Sequence, residues 1–160
     1  MRVRRAGPGD LATVGEVTVA AYAPFTRGPG DPYVQRLRDA AARAEQAELW
    51  VAVGETDEVL GSVTTCPMGS PWREVAREGE GEFRMLSVAP AAQGRGVGSV
   101  LVEHVLAHHF ALGAHAVVLS SLVAMTAAHR LYARHGFTRL PERDWEPVPD
   151  VHLIAFGVDL

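Results

Sequence analysis

V-A-P-A-A-Q-G-R-G-V-G-S, residues Val88 to Ser99, joins two segments of different periodicity. An apolar run, Phe83 to Val88, leads into it, and a long amphipathic segment, Val97 to Leu112, leads out. The glycines therefore stand where a strand hands over to a helix. The first turn of a helix carries backbone N–H groups without intrahelical partners, and the helix dipole adds positive potential there. Gly94, Gly96 and Gly98 bring no Cβ atoms that would keep an anion from those amides. A diphosphate is the natural occupant.

Two phosphate loops with fixed requirements are excluded. A Walker loop needs Gly-Lys-Ser/Thr, and all fifteen Lys+Arg residues of this chain are arginine. A dinucleotide fingerprint starting at Gly94 needs glycine where Ser99 stands, and an acidic residue about twenty positions on. No Asp or Glu occurs between Glu103 and Glu142. What remains is Val88-Ala89-Pro90 followed by Gln93-x-x-Gly96-x-Gly98, which resembles the acyl-CoA-binding motif of the GNAT acyltransferase family.

At 160 residues, the chain is expected to fold as one domain, 1–160, that buries about two-thirds of its unfolded surface. With 48% hydrophobic and 21% charged residues and no repeat, it falls among globular rather than disordered chains. Its net charge of −4, with arginines scattered rather than gathered on a stripe, argues against nucleic acid as a partner. One cysteine, Cys66, allows no intrachain disulfide. The start M-R-V-R-R-A-G-P-G-D lacks the apolar core of a signal peptide, and no apolar run reaches membrane-spanning length. A cytoplasmic protein without membrane contact is the expectation, with a homodimer as an allowed state.

The chain opens with a short strand, Val3 to Ala6, and a helix, Leu11 to Tyr22, for which Asp10 is the expected N-cap. A Pro/Gly-rich break, Pro24 to Pro32, separates it from a second helix, Tyr33 to Ala47. Leu49–Val53 and Val59–Cys66 read as a hairpin, and Met68 to Gly81 as a polar loop. From Glu82 the pattern is strand, glycine loop, helix closed by Gly113, and strand Ala116 to Leu119: a β-α-β unit. A helix, Met125 to Arg134, a strand, Phe137 to Leu140, a long loop, Pro141 to Pro149, and a last strand, Val151 to Leu160, complete the chain. This is an α/β (α+β) class: one mixed, mostly antiparallel sheet of six to seven strands flanked by about four helices.

The resemblance extends beyond the glycines. Glu82-Phe-Arg-Met-Leu-Ser-Val88, the glycine motif, and Ala128-His-Arg-Leu-Tyr-Ala-Arg-His-Gly-Phe137 follow one another in the order of the GNAT core. The resemblance implies a sheet splayed between its fourth and fifth strands, with the pantetheine arm of acetyl-CoA in the gap. It implies that Leu86, Ser87 and Val88 face pantetheine and thioester through their backbone, with the Val88 N–H as oxyanion donor. Gln93, Gly94, Arg95, Gly96, Val97, Gly98 and Ser99 would hold the diphosphate. Acetyl transfer to an amine needs a base, an oxyanion donor and an acid for the leaving thiolate. Tyr132 matches the position of the general acid; its alternative is a core tyrosine packed between Leu131 and Phe137. Glu82 matches a base acting through water; its alternative is a solvated strand-end carboxylate. Met125 stands where many relatives have Asn.

Other groups read more plainly. His104 and His108 have the i, i+4 spacing of zinc ligands but no third ligand, so a packed helix face and no metal is expected. Cys66 reads as a buried thiol. Glu142, Asp144, Glu146 and Asp150 surround Trp145 on a loop that attracts cations or is simply solvated. Tyr22, Phe25 and Tyr33 bracket the first interhelical loop. Two functions stay open: an acetyl-CoA-dependent N-acetyltransferase acting on a primary amine (small molecule, peptide N-terminus or lysine), or a CoA-binding module without turnover.

Overall fold

A helix begins at Val97, and the loop before it passes through Gly94 and Gly96, both in the left-handed region at φ +75° and +80°. The computed structural model describes residues Met1–Leu160. Its elements are β1 (Arg2–Arg5), α1 (Leu11–Tyr22), α2 (Pro32–Arg38), α3 (Ala40–Gln46), β2 (Glu48–Val53), β3 (Val59–Thr65) and β4 (Glu80–Val88). Then come α4 (Val97–Ala111), β5 (Ala116–Leu122), α5 (Thr126–Arg134), β6 (Thr138–Arg139) and β7 (Leu153–Asp159).

The seven strands form one sheet in the order β1-β2-β3-β4-β5-β7-β6. Every neighbouring pair is antiparallel except β4 and β5, which are parallel and joined through α4. Helices α4 and α5 cover one face, where Val97, Leu101, Val102, Val105 and Tyr132 pack on Phe83, Val117, Leu119 and Phe156. On the other face, Val14 and Ala40 pack on Leu49, Val51 and Val53, and Leu37 packs with Cys66, Trp72 and Met85. Fully burying a side chain such as Leu101 contributes about 1.5–3 kcal/mol, so these two apolar layers hold the helices to the sheet.

Three local expectations are corrected. Asp10 does not cap α1: its carboxylate instead accepts from the Gly7 N–H at 2.7 Å and pairs with Arg4 at 2.7 Å. The expected helix Tyr33 to Ala47 is two helices, α2 and α3, broken at Asp39, whose carboxylate accepts from the Ala42 N–H and caps α3. The chain thus has five helices. The strand expected over Phe137 to Leu140 pairs only at Thr138 and Arg139.

Candidate active site

Pairing between β4 and β5 covers Glu80↔Ala116, Gly81↔Val117 and Glu82↔Val118, and then stops. Beyond that point β4 stays paired with β3 up to Val88, while β5 stays paired with β7 up to Leu122. The two strands part, and the backbone groups of Phe83–Val88 on the β5 side face a gap instead of a neighbour. The Ala89 N–H donates to Leu60 on β3 at 2.8 Å, so strand alternation turns the Val88 N–H to the opposite edge, into the gap. The parting coincides with a bulge: the β3–β4 register shifts between Ser62 and Thr64, and Met85 sits at φ +50°. A non-glycine residue there stores of the order of 1–3 kcal/mol, and the surroundings must hold it. Arg43, fully buried and without a carboxylate partner, does so: its Nη1 lies 3.2 Å from Met85 Sδ and donates to Leu37 O at 2.8 Å. Desolvation lowers its pKa to about 10.

At the mouth of the gap, no backbone carbonyl accepts from the N–H groups of Gly94 through Ser99. Such a row of unpaired amides at a helix N-terminus is an anion cradle. A Cβ at Gly94 or Gly96 would meet nothing within 4 Å, so both glycines serve the positive φ of the loop. At Gly98 a Cβ would lie 2.9 Å from a terminal methyl of Leu131, a close approach of α5 to α4. Gln93 and Arg95 are exposed beside the loop, whereas the Val97 side chain is buried in the core. Leu86 and Val88 pack toward α4; the Ser87 hydroxyl turns the other way, 3.1 Å from Ser62 Oγ and 3.4 Å from Thr18 Oγ1.

Tyr132 projects from α5 onto the base of the gap. Its ring lies 5.8 Å from Phe83, 5.9 Å from Phe137 and 6.1 Å from Phe156. Burial alone, with no hydrogen bond and no charge, holds its phenol above the ordinary value near 10, so it stays protonated. The ring is a core residue, and its hydroxyl makes no hydrogen bond within the chain.

Glu82 is not a solvated strand end. It is fully buried, and its carboxylate accepts from the backbone N–H groups of Glu74, Val75 and Ala76 at 3.0–3.4 Å. Burial raises its pKa and the three amides oppose that rise, with a net upward shift. The Glu82 carbonyl lies 3.3 Å from His109 Nε2, and Gly81 makes room for that imidazole, which a Cβ would meet at 2.4 Å. Burial lowers the His109 pKa to about 4.

The remaining candidates have these surroundings. His104 and His108 flank the Trp50 ring at 4.3 and 4.9 Å, and His108 pairs with Glu48 at 2.7 Å. Cys66 is buried, and burial pushes its thiol up. Asp144 pairs with Arg139 at 2.6 Å and accepts from the Ala155 N–H. Tyr22 and Tyr33 pack beside Leu37 and Trp72, with Phe25 outside. Sequence reading passed over Arg43, Arg84 and Glu74; only the oddity of arginine at apolar helix and strand positions pointed to the first two.

Residues 16–137 match the model of the acetyltransferase (GNAT) family. The chain belongs to that family. It is 38% identical over 104 residues to a mycothiol acetyltransferase of Geodermatophilus obscurus, an alignment covering 65% of this chain and 33% of that one. The chain thus spans about a third of the length of that relative. The GNAT fold is shared with an acetyltransferase of Staphylococcus aureus Mu50 (TM-score 0.76, 12% identity, 99% and 98% of the two chains). It is shared too with yncA of Salmonella typhimurium, solved with its cofactor acetyl-CoA (TM-score 0.69, 22% identity, 100% and 94%). GNAT enzymes use acetyl-CoA, and the unpaired amides, the glycine-lined loop and the gap in this chain fit it.

Proposed function

We propose that the chain is an acetyl-CoA-dependent N-acetyltransferase that acts, as one unit over residues 1–160, on a primary amine. The observation that carries this reading is the parting of β4 from β5 beneath a buried tyrosine whose hydroxyl has no partner. A CoA-binding module without turnover needs no proton donor at that place. The mycothiol acetyltransferase relative supports the same reaction class.

Acetyl-CoA supplies the thioester carbonyl. The amides of Gly94 through Ser99 hold the diphosphate, with the exposed Arg95 guanidinium beside them. The edge of Leu86, Ser87 and Val88 takes the pantetheine arm, and the Val88 N–H donates to the carbonyl oxygen as it gains charge. The neutral amine forms the C–N bond, the C–S bond breaks, and Tyr132 Oη gives its proton to the departing sulfur. The amine's surplus proton leaves to water, from which the phenolate is reprotonated. Glu82, with its oxygens committed to three backbone amides, acts by holding the 74–76 loop and not as the base.

The test is release of free CoA thiol from acetyl-CoA against a panel of amines, amino acids and peptides, with product mass read in parallel. Thiol release together with a 42-dalton gain (roughly one acetyl group) on one class of amine is the expected result. Saturable acetyl-CoA binding without turnover on any member would favour the module.

A further inference from the structure

Glu82 spends its carboxylate on the loop ahead of β4, and the side chain that this loop delivers is Glu74. The Glu74 carboxylate reaches the limb of β4 that has no β5 neighbour, where Oε1 pairs with Arg84 Nε at 2.6 Å, the two side chains being 19% and 11% exposed. Arg84 is fixed in turn, donating to the Trp72 carbonyl at 3.2 Å and lying over the Trp72 ring at 5.5 Å. The shortest ion-pair contact of the Glu74 carboxylate is made by Oε1, and no donor in the chain hydrogen-bonds to Oε2. A carboxylate anchored by one oxygen, shielded from bulk water and open at the other is a ready site for an ammonium group.

Beside it runs an open cleft of about 310 Å³, lined by Glu74, Val75 and Arg77 on one side and Glu142, Arg143, Asp144 and Trp145 on the other. That volume is near the lower end for small-molecule sites, roughly 300–1,000 Å³. Two of its charged lining residues are matched, Arg143 with Glu80 at 2.6 Å and Asp144 with Arg139 at 2.6 Å, whereas Arg77 and Glu142 make no ion pair. The groups that face Glu74 are Arg84 and Glu82 from β4, Arg36 and Tyr33 from α2, and Arg77 and Glu142 from the cleft.

We propose that Glu74 Oε2 binds the ammonium group of a small amine acceptor as it docks in this cleft, that the ammonium gives one proton to water to become the neutral nucleophile, and that Glu82 is the positioning residue that presents Glu74 through the 74–76 amides. This rests on the acetyltransferase reading. Burial raises the Glu74 pKa, with Arg84 opposing, so the carboxylate charges over a pH interval higher than that of a solvated carboxylate. Acceptor binding therefore strengthens over that interval.

The experiment compares Glu74→Gln and Glu82→Gln with wild type, using the best amine of the panel and a fluorinated amine that is uncharged at assay pH. Glu74→Gln should raise KM for the charged amine about ten- to a hundredfold, the worth of one charge-assisted hydrogen bond. It should leave KM for acetyl-CoA unchanged and cost little with the uncharged amine. Glu82→Gln should raise the same acceptor KM and loosen the loop to proteolysis, whereas the loop of Glu74→Gln stays protected. An unchanged acceptor KM in Glu74→Gln, with wild type active, overturns the inference alone. Equal losses with charged and uncharged amines also overturn it. A wild type inactive on every amine overturns the enzyme reading and this inference together.

Discussion

Removing one oxygen, by Tyr132→Phe, separates chemistry from packing. The ring keeps its edge contacts to Phe83, Phe137 and Phe156, and the hydroxyl leaves no hydrogen-bond partner behind, since burial is the only influence on it. Stability should therefore change by less than about 1 kcal/mol. If Tyr132 Oη protonates the leaving sulfur, kcat should fall by about 10² to 10⁴, or roughly 2.7–5.4 kcal/mol of barrier. Acetyl-CoA affinity should hold, because the proposed diphosphate site is the row of unpaired amides from Gly94 through Ser99, away from the Tyr132 hydroxyl. Steady-state kinetics with acetyl-CoA and with a thioester of a more acidic thiol read both points. The activated thioester should recover part of the mutant's lost rate and gain less with wild type. The phenol's raised pKa adds a sign: wild-type kcat should show no loss through Tyr132 deprotonation up to pH values around 10. A mutant of near-normal kcat, or one whose whole defect is in acetyl-CoA binding, would refute the reasoning.

Gly96→Asp and Gly96→Asn divide strain from charge at the anion cradle. Both place a side chain at φ +80°, a conformation Asn and Asp tolerate better than most residues, so their melting temperatures without ligand should match. Only the aspartate should lose stabilisation by acetyl-CoA; equal stabilisation of the two would remove the diphosphate from this loop. His109 sets an acid limb. Its folded pKa of about 4 lies below the value near 6.5 of the unfolded chain, so its contribution is complete above pH 6.5 and is lost as pH falls toward 4. The loss amounts to about 3 kcal/mol, and urea midpoints against pH should flatten over that window in His109→Phe. An unaltered slope would mean that His109 is not buried as a neutral ring.

The unit from β4 to β5 was readable because its signals are local. Gly94 and Gly96 are demanded by backbone conformation within the loop itself, and Gly113, at φ +81°, closes α4. What escaped depends on partners distant in sequence. Asp39 breaks a continuous helical pattern only because capping α3 competes with continuing α2. Met85 bulges because Arg43, forty-two residues earlier, supports it from beneath. The glycine at position 98 reads as part of the phosphate loop, and its close approach to Leu131 on α5 cannot be seen in the spacing. Glu82 was recognised by position, but its environment depends on how the polar stretch before it folds back, and nothing in the spacing of Glu74, Val75 and Ala76 announces three amides converging on one carboxylate.

Thermal unfolding with and without acetyl-CoA tests most directly whether the parted strands and the glycine cradle form an acyl-CoA site. At about a hundred times its dissociation constant, acetyl-CoA should add about 2.7 kcal/mol. For a chain of this size that is a rise in Tm of roughly 5–11 °C. NADH and ATP at the same concentration should shift it far less, since neither offers a pantetheine arm to the β4 edge. No shift with acetyl-CoA, or an equal shift with all three, would contradict the site.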